Sequence, residues 1–290
     1  MEITNETVIA LTGASAGIGR ALAVELAAHG ARLGLIARRP DLLDQVAAEV
    51  EGAGGRALAL PCDVTDRTAF EQAIARIIET FGHLDVLVNN AGRGHFAYID
   101  DTPEEQIESI FRVNVFSLWY GTAPAIRHMK ERKQGLVVNI ASIAGKLAFP
   151  ANAAYVAAKH AVVGFTRALR SELAGTGVEA IVINPAGAFT DWAVATEGGP
   201  MLELFDYENR RGREIAAELG VEPPPAFTPM SAGEVARAIV EAIRQPRAEV
   251  FTHPGSEQIA NAYEVDQESV ERRLLPAWLA NLEGRKELGK

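Results

Sequence analysis

The sequence predicts an α/β protein built on a doubly wound parallel sheet of about seven strands, with helices on both faces. Three observations carry that prediction. Short β-type runs alternate with longer helical patterns along most of the 290 residues, and such alternation implies βαβ crossovers. Several runs are apolar on both faces, as strands covered by helices on either side must be. The first strand–helix turn is rich in glycine.

The elements follow in order. Residues 7–11 (TVIAL) read as the first strand, and 17–29 as a helix with Ile18, Leu22, Ala23 and Leu26 on one face. Residues 32–37 are the second strand, 41–51 a helix stopped by glycines, and 57–60 a short third strand. Thr65 or Asp66 caps a helix running to Phe81. Residues 85–88 are the fourth strand. Thr102-Pro103-Glu104-Glu105 reads as a helix start, with Thr102 as N-cap and Pro103 at the first position, and the helix continues to about Lys130. Residues 136–140 are the fifth strand, 152–173 a long helix and 179–183 the sixth strand. Ser231-Ala232-Gly233-Glu234 resembles a capping box opening a helix to about Ile243, and residues 248–252 make a seventh strand. Two regions break the rhythm. Residues 188–230 contain Gly198-Gly199-Pro200 and Pro223-Pro224-Pro225, with a helix expected from about Met201 to Leu219. The tail after Pro254 shows a helical pattern from about Gln267 to Leu282.

Composition narrows the function. The net charge of −10 argues against a non-specific nucleic-acid or anionic-membrane binder. Cys62 is the only cysteine, so an internal disulfide and a cysteine metal cluster are excluded. No apolar stretch reaches 18 residues and the start has no signal-peptide character, so a cytoplasmic protein without a membrane span is expected.

The turn Thr12-Gly13-Ala14-Ser15-Ala16-Gly17-Ile18-Gly19 has the glycines that a backbone needs to turn tightly and approach a pyrophosphate. The helix behind it offers unpaired N–H groups and a positive dipole end. After the second strand, an acid would bind the adenosine ribose hydroxyls of NAD. Here Ala37 is followed by Arg38 and Arg39, two guanidinium groups suited to a 2′-phosphate. That argues for NADP(H), with Arg38 the better candidate, against the plainer reading of two solvated arginines. Tyr155 and Lys159 stand four apart on one predicted helix and so share a face. An ammonium nearby favours phenolate and makes the pair a sensible general acid/base. Ser142, at the end of the fifth strand, is placed either to hold a substrate oxygen or to cap a turn.

Together these residues resemble the short-chain dehydrogenase/reductase family, in its common single-domain Rossmann-type branch. The matching motifs run from Thr12 to Thr190: the glycine turn, Asp63, Asn89-Asn90-Ala91-Gly92, Asn114, Ser142, Tyr155-x-x-x-Lys159, and Asn184-Pro185 with Thr190. The resemblance implies roles. Asp63 and Val64 would contact adenine, and Asn90, with Ala91 and Gly92, would lie near the cofactor ribose. Lys159 would bind the nicotinamide ribose and lower the pKa of Tyr155. Tyr155 would be the catalytic acid or base, Ser142 would orient the substrate oxygen, and Asn114 would hold a water through its main chain. Pro185, Ala188 and Thr190 would lie along the nicotinamide. One departure stands out: the family's usual Pro-Gly is Pro185-Ala186-Gly187 here.

The implied activity is hydride transfer between NADP(H) and a carbonyl or secondary alcohol, in a homodimer or homotetramer with no metal. His95, Ile143, Phe149, Phe189 and Trp192 are candidate pocket residues, with Arg93, Phe96 and Leu147 beside them. They suggest a medium-sized hydrophobic or aromatic small-molecule substrate. Two other readings are an NADP-sensing regulator, which would not need Ser142, Tyr155 and Lys159, and a sugar-nucleotide epimerase or dehydratase, which the glycine spacing disfavours. The motif order implies one domain over residues 1–290, with 188–230 as a substrate lid and 255–290 as a helical extension. The charge run from Glu208 to Glu214 reads as a solvated helix face.

Overall fold

The computed structural model describes residues 1–190, 196–197, 201–223 and 229–287, without the side chains of residues 189, 201–203, 205 and 206. Trp192 and part of 188–230 thus lie outside the described residues.

Strands β1 (Val8–Thr12), β2 (Arg32–Ala37) and β3 (Arg56–Pro61) alternate with helices α1 (Gly17–Ala27), α2 (Pro40–Gly52) and α3 (Arg67–Phe81). Strand β4 (Val86–Asn89) leads into α4 (Glu104–Phe111) and α5 (Ser117–Arg132), then β5 (Gly135–Ile140), α6 (Ala153–Glu172) and β6 (Val178–Asn184). Two short strands, β7 (Ala188–Phe189) and β8 (Met230–Ser231), bracket α7 (Met201–Leu219) and pair with each other. Helix α8 (Ala232–Arg244), strand β9 (Glu249–Phe251) and helices α9 (Ser256–Val265) and α10 (Gln267–Glu287) complete the chain.

The main sheet has seven parallel strands in the order β3-β2-β1-β4-β5-β6-β9. The order reverses between β1 and β4, which opens a crevice at the carboxyl ends of both. One apolar layer packs α1, α2 and α8 on the sheet through Leu22, Leu26, Val46 and Ile239. The other packs α3, α5 and α6 through Phe70, Ile74, Met129 and Leu169. A Cβ at Gly121 of α5 would run into the Phe70 ring, so that glycine lets α5 approach α3. Truncating Phe70, which is fully buried, would cost about 3–5 kcal/mol.

Local chemistry explains most boundaries. Asp66 accepts a hydrogen bond from Ala69 N at 3.0 Å at the start of α3, and Gly82 ends that helix in the left-handed region. Ser231 and Glu234 form a reciprocal capping box on α8.

Four local expectations are corrected. Thr102 does not cap α4, because its hydroxyl donates back to Tyr98 O at 2.7 Å and Pro103 is the residue preceding the first turn. The long helix over 102–130 is two helices joined by a π-helical turn, Arg112–Phe116, which sets Asn114 inward. The helical extension begins before the pattern read from Gln267: α9 starts behind Gly255, a left-handed residue with no capping side chain to announce it. The 208–214 run is solvated on one side only: Asn209, Arg210, Arg213 and Glu214 are exposed, whereas Glu208 accepts from Asn281 Nδ2 at 3.1 Å, and Arg211 donates to Glu283 at 2.8 Å and Glu218 at 2.7 Å. Helix α7 thereby lies along α10, and a Cβ at Gly284 would strike Leu204 and Tyr207.

Candidate active site

The crevice is assembled by buried polar side chains at the strand ends. Thr12 Oγ1 accepts from the N–H groups of Asn90 and Ala91, both at 2.9 Å, and so fixes the loop after β4 against the end of β1. Asn90 Nδ2 donates to Thr12 O at 3.0 Å and to Gly13 O at 3.4 Å, which makes it a brace for the glycine turn. Behind it, Asn89 donates to Asn139 Oδ1 at 2.8 Å, and Asn139 donates to Thr166 Oγ1 at 2.9 Å. This ladder ties β4, β5 and α6 together in the interior, where each unpaired group would be costly.

The glycine turn forms an open cradle. Gly13 has φ +66°, and a Cβ there would lie 2.9 Å from both Ala91 Cα and Asn90 Nδ2. Gly19 is likewise closed to a side chain by Gly13 O. Ala16 precedes α1 without a capping side chain, and no acid stands in the first turn. These uncapped N–H groups and the helix dipole suit an anion. Thr190 closes the cradle, 3.4 Å from where a Gly17 Cβ would sit. Such a cradle is of the kind that suits the pyrophosphate of a dinucleotide.

Arg38 and Arg39 are both exposed after β2. Arg39, rather than Arg38, reaches the turn, with Nη2 3.5 Å from Ser15 Oγ. Asp63 accepts from Thr65 N and Oγ1 at 2.9 and 2.8 Å, while Val64 is buried beside it.

Ser142, Tyr155 and Lys159 are all buried where β5 ends and α6 begins. The Ser142 and Tyr155 side chains hydrogen-bond each other. Ser142 Oγ also accepts from Ala144 N at 3.1 Å, so it caps its turn as well as meeting the tyrosine. The Lys159 ammonium donates to Ile140 O at 2.9 Å and stands 5.7 Å from the centre of the Tyr155 ring. A Cβ at Gly145 would fall 2.8 Å from Lys159 O, so this glycine lets the serine loop lie on α6. Burial pushes the Tyr155 hydroxyl up to about 12 and the Lys159 ammonium down to about 8. The lysine was expected to lower the tyrosine; here removal from water raises it, and the opposing pull is the hydrogen bond with Ser142. Asn114, 2% exposed, accepts from Arg93 N at 3.2 Å and donates to Arg93 O at 2.9 Å, which holds the segment after Gly92. A Cβ on Gly92 would meet Asn114 Oδ1 at 2.7 Å and Lys159 Nζ at 3.5 Å, so Gly92 borders the lysine.

The pocket candidates separate. Ile143, Leu147 and Phe149 pack with Ala186 and Phe251 against Ile259, Ala260 and Tyr263 of the tail. Phe96 packs with Ala151 and Leu204 of α7. Arg93 is engaged by Glu197 and Ser109. His95 is fully buried, with Nε2 2.9 Å from Gln106 Oε1 and Nδ1 without a partner among the described residues. The Phe189 side chain lies outside the description. Two contributors escaped the sequence reading. Glu197 pairs its backbone with Gly94 and Phe96. His253 binds the loop after β6. Only the position of His253, just past a strand end, hinted at a part in the site.

Among the described residues no helix is long and apolar enough to cross a membrane. A family model described as short chain dehydrogenase matches residues 7–199. A 3β-hydroxysteroid dehydrogenase of Mediterraneibacter gnavus is 36% identical over 64% of this chain and 67% of its own. A D-β-hydroxybutyrate dehydrogenase of Rhizobium meliloti is 38% identical over 72% and 78%. A solved short-chain dehydrogenase/reductase of Burkholderia phymatum, in complex with NAD, superposes with a TM-score of 0.78 at 28% identity, covering 92% of this chain and 96% of that one. An alcohol dehydrogenase of Thermococcus sibiricus, complexed with 5-hydroxy-NADP, superposes with a TM-score of 0.70 at 25% identity, covering 84% and 95%. Fold and comparisons define a nicotinamide-cofactor oxidoreductase of the Rossmann class. The chain belongs to the short-chain dehydrogenase/reductase family.

Proposed function

We propose that this chain is an NADP(H)-dependent oxidoreductase that interconverts a carbonyl compound and a secondary alcohol. The observation that carries this reading is the buried group of Ser142, Tyr155 and Lys159, with serine and tyrosine hydrogen-bonded to each other. When bound, the nicotinamide supplies the hydride in reduction and accepts it in oxidation. In reduction, Ser142 Oγ donates to the substrate oxygen and holds it beside Tyr155. The Tyr155 hydroxyl, kept protonated by burial, gives its proton to that oxygen as charge develops there. In oxidation the same hydroxyl, as phenolate, takes the alcohol proton. The Lys159 ammonium stabilises the phenolate that each turnover leaves or requires, and in this reading it also donates to the nicotinamide ribose. Asn114 holds a water through its main chain in this reading, while its side chain fixes the Arg93 backbone.

Preference for NADP(H) is supported by Arg38 and Arg39 and by the absence of an acid directly after β2. Asp63 and Val64 border the adenine in this reading. The relatives named for a hydroxysteroid and a hydroxybutyrate support a secondary alcohol as the reacting group. A hydrophobic substrate of medium size remains the expectation from the sequence; Phe96 and Ile143 themselves pack in two separate apolar clusters. Residues 188–230 serve as the lid and 255–290 brace it, within one domain over residues 1–290. Ile107, Phe116 and Trp119 are exposed on α4, the π-helical turn and α5 respectively, and we assign the contact of a homodimer or homotetramer to that side.

The test is NADPH consumption across a broad aldehyde and ketone panel, with Tyr155→Phe beside the wild type. The variant should lose turnover by about 10²–10⁴-fold while binding NADPH normally. Wild-type silence across the panel, or activity that survives in the variant, would overturn the reading.

A further inference from the structure

His253 lies two residues beyond β9 and is 5% exposed. Its ring is fastened on both edges. Nδ1 accepts from Ala186 N at 3.1 Å and lies 2.8 Å from Thr252 Oγ1, while Nε2 lies 2.7 Å from Gly187 O. An amide N–H can only donate, so Nδ1 is the acceptor. Nε2 therefore carries the proton and donates to the carbonyl. Burial holds the imidazole below its ordinary pKa, against the opposing pulls of Gly187 O and of Glu234 at the start of α8, so the ring is neutral at pH 7.

The loop it grips joins two halves of the site. On one side, Pro185 O accepts from Ile143 N at 2.8 Å, next to Ser142. On the other, Gly187 O accepts from Met230 N at 3.0 Å, β7 follows, and Thr190 arrives beside Gly17. This is also where the chain departs from the family's Pro-Gly pattern: the spacing from Pro185 to Thr190 is kept, but Ala186 follows the proline and the glycine comes one position later. The N–H of Ala186 is the group that His253 takes up.

We propose that His253 is a positioning residue for the nicotinamide half of the cofactor site. Its neutral imidazole holds residues 186 and 187 so that Ala188 and Thr190 reach the cradle. The role rests on the cofactor reading above. It acts on one end of the dinucleotide only, because the adenine end binds across the sheet at β2 and β3.

The test uses the full-length protein and two probes: NADPH, with NADH in parallel, and adenosine 2′,5′-bisphosphate, which lacks the nicotinamide half. His253→Ala should raise the NADPH Kd and KM about tenfold, the size expected for losing a buried hydrogen-bond pair. The bisphosphate Kd should stay within about threefold, as should kcat. His253→Asn, which keeps an acceptor near the Nδ1 position, should restore most of the NADPH affinity. His253→Phe fills the same space without either nitrogen and takes the place of the alanine variant should that one fail to fold. Unchanged NADPH binding in the alanine and phenylalanine variants, equal losses for both probes, or an asparagine variant as weak as alanine would each overturn the role while leaving the cofactor reading intact. A wild type that binds neither NADPH nor NADH would remove the cofactor reading, and the role of His253 with it.

Discussion

The Tyr98 hydroxyl donates to Asn281 Oδ1 at 2.5 Å, joining the loop after β4 to the last helix across 183 positions. Asn281, 2% exposed, spends its amide on Glu208 of α7 at 3.1 Å. Arg285 caps the arrangement over the Tyr98 ring, 4.0 Å from its centre, and pairs with Asp101. One side chain thus connects three segments. Asn281→Ala leaves two half-buried groups short of partners and should destabilise the fold by about 1–2 kcal/mol. Urea denaturation will show this as a lower midpoint with an unchanged slope.

Cofactor choice should depend on the arginines after β2. Arg38→Ala with Arg39→Ala should weaken NADPH binding by roughly 10–100-fold, the range for losing charge-assisted bonds to a phosphate. NADH binding should move by less than about threefold. Fluorescence titration with both nucleotides checks this, and equal losses would contradict the 2′-phosphate assignment. Of the single variants, Arg39→Ala should cost more, since Arg39 is the one that reaches Ser15.

The pH profile of reduction should report Lys159. Its pKa is lowered by burial from 10.5 to about 8, so its charge is present below about pH 8 and lost as pH rises through it. Tyr155, held near 12, keeps its proton throughout that range. The alkaline limb of kcat/KM for carbonyl reduction should therefore fall near pH 8 and move upward in Lys159→Arg, whose charge does not titrate there. The same shift bears on stability. The unfolded chain binds this proton more tightly than the folded one between about pH 8 and 10.5, so the destabilisation is full below about 8 and fades as pH rises to 10.5. A limb left unmoved by the arginine would assign it to another group.

Trp119 is 52% exposed and sets its ring edge-on to Phe165, 4.6 Å between centres. In the assembly proposed above, Trp119→Asp should turn the wild-type dimer or tetramer into a monomer, read by light scattering after gel filtration. A variant that keeps the wild-type mass would move the subunit contact elsewhere.

The sheet was legible because its strands announce themselves locally. Apolar runs such as residues 32–37 and 178–184 are bounded by glycine or polar residues, and helix starts at Asp66 and Ser231 carry their own caps. The reacting residues were legible for the same reason: Tyr155 and Lys159 share one helix, so a spacing of four fixes their neighbourhood. What was not legible depends on partners far along the chain. Nothing near Glu208 indicates that Asn281 will meet it, so its stretch reads as solvated. The π-helical turn at 112–116 has no local residue signature, and Thr102 mimics a cap until Tyr98 O claims its hydroxyl. The sign of the Tyr155 shift was likewise out of reach, because burial is a property of the finished fold.

The close seam between α7 and α10 has a consequence for access. Gly284 admits Leu204 and Tyr207 where no side chain would fit, and Gly212 lies against Ala277. Helix α7 therefore cannot swing outward alone. In the lid reading proposed above, the doorway to the site is a slab two helices thick, α7 with α10 packed against it. Random mutagenesis for faster product escape should then return hits on the outer helix, at positions no substrate ever touches.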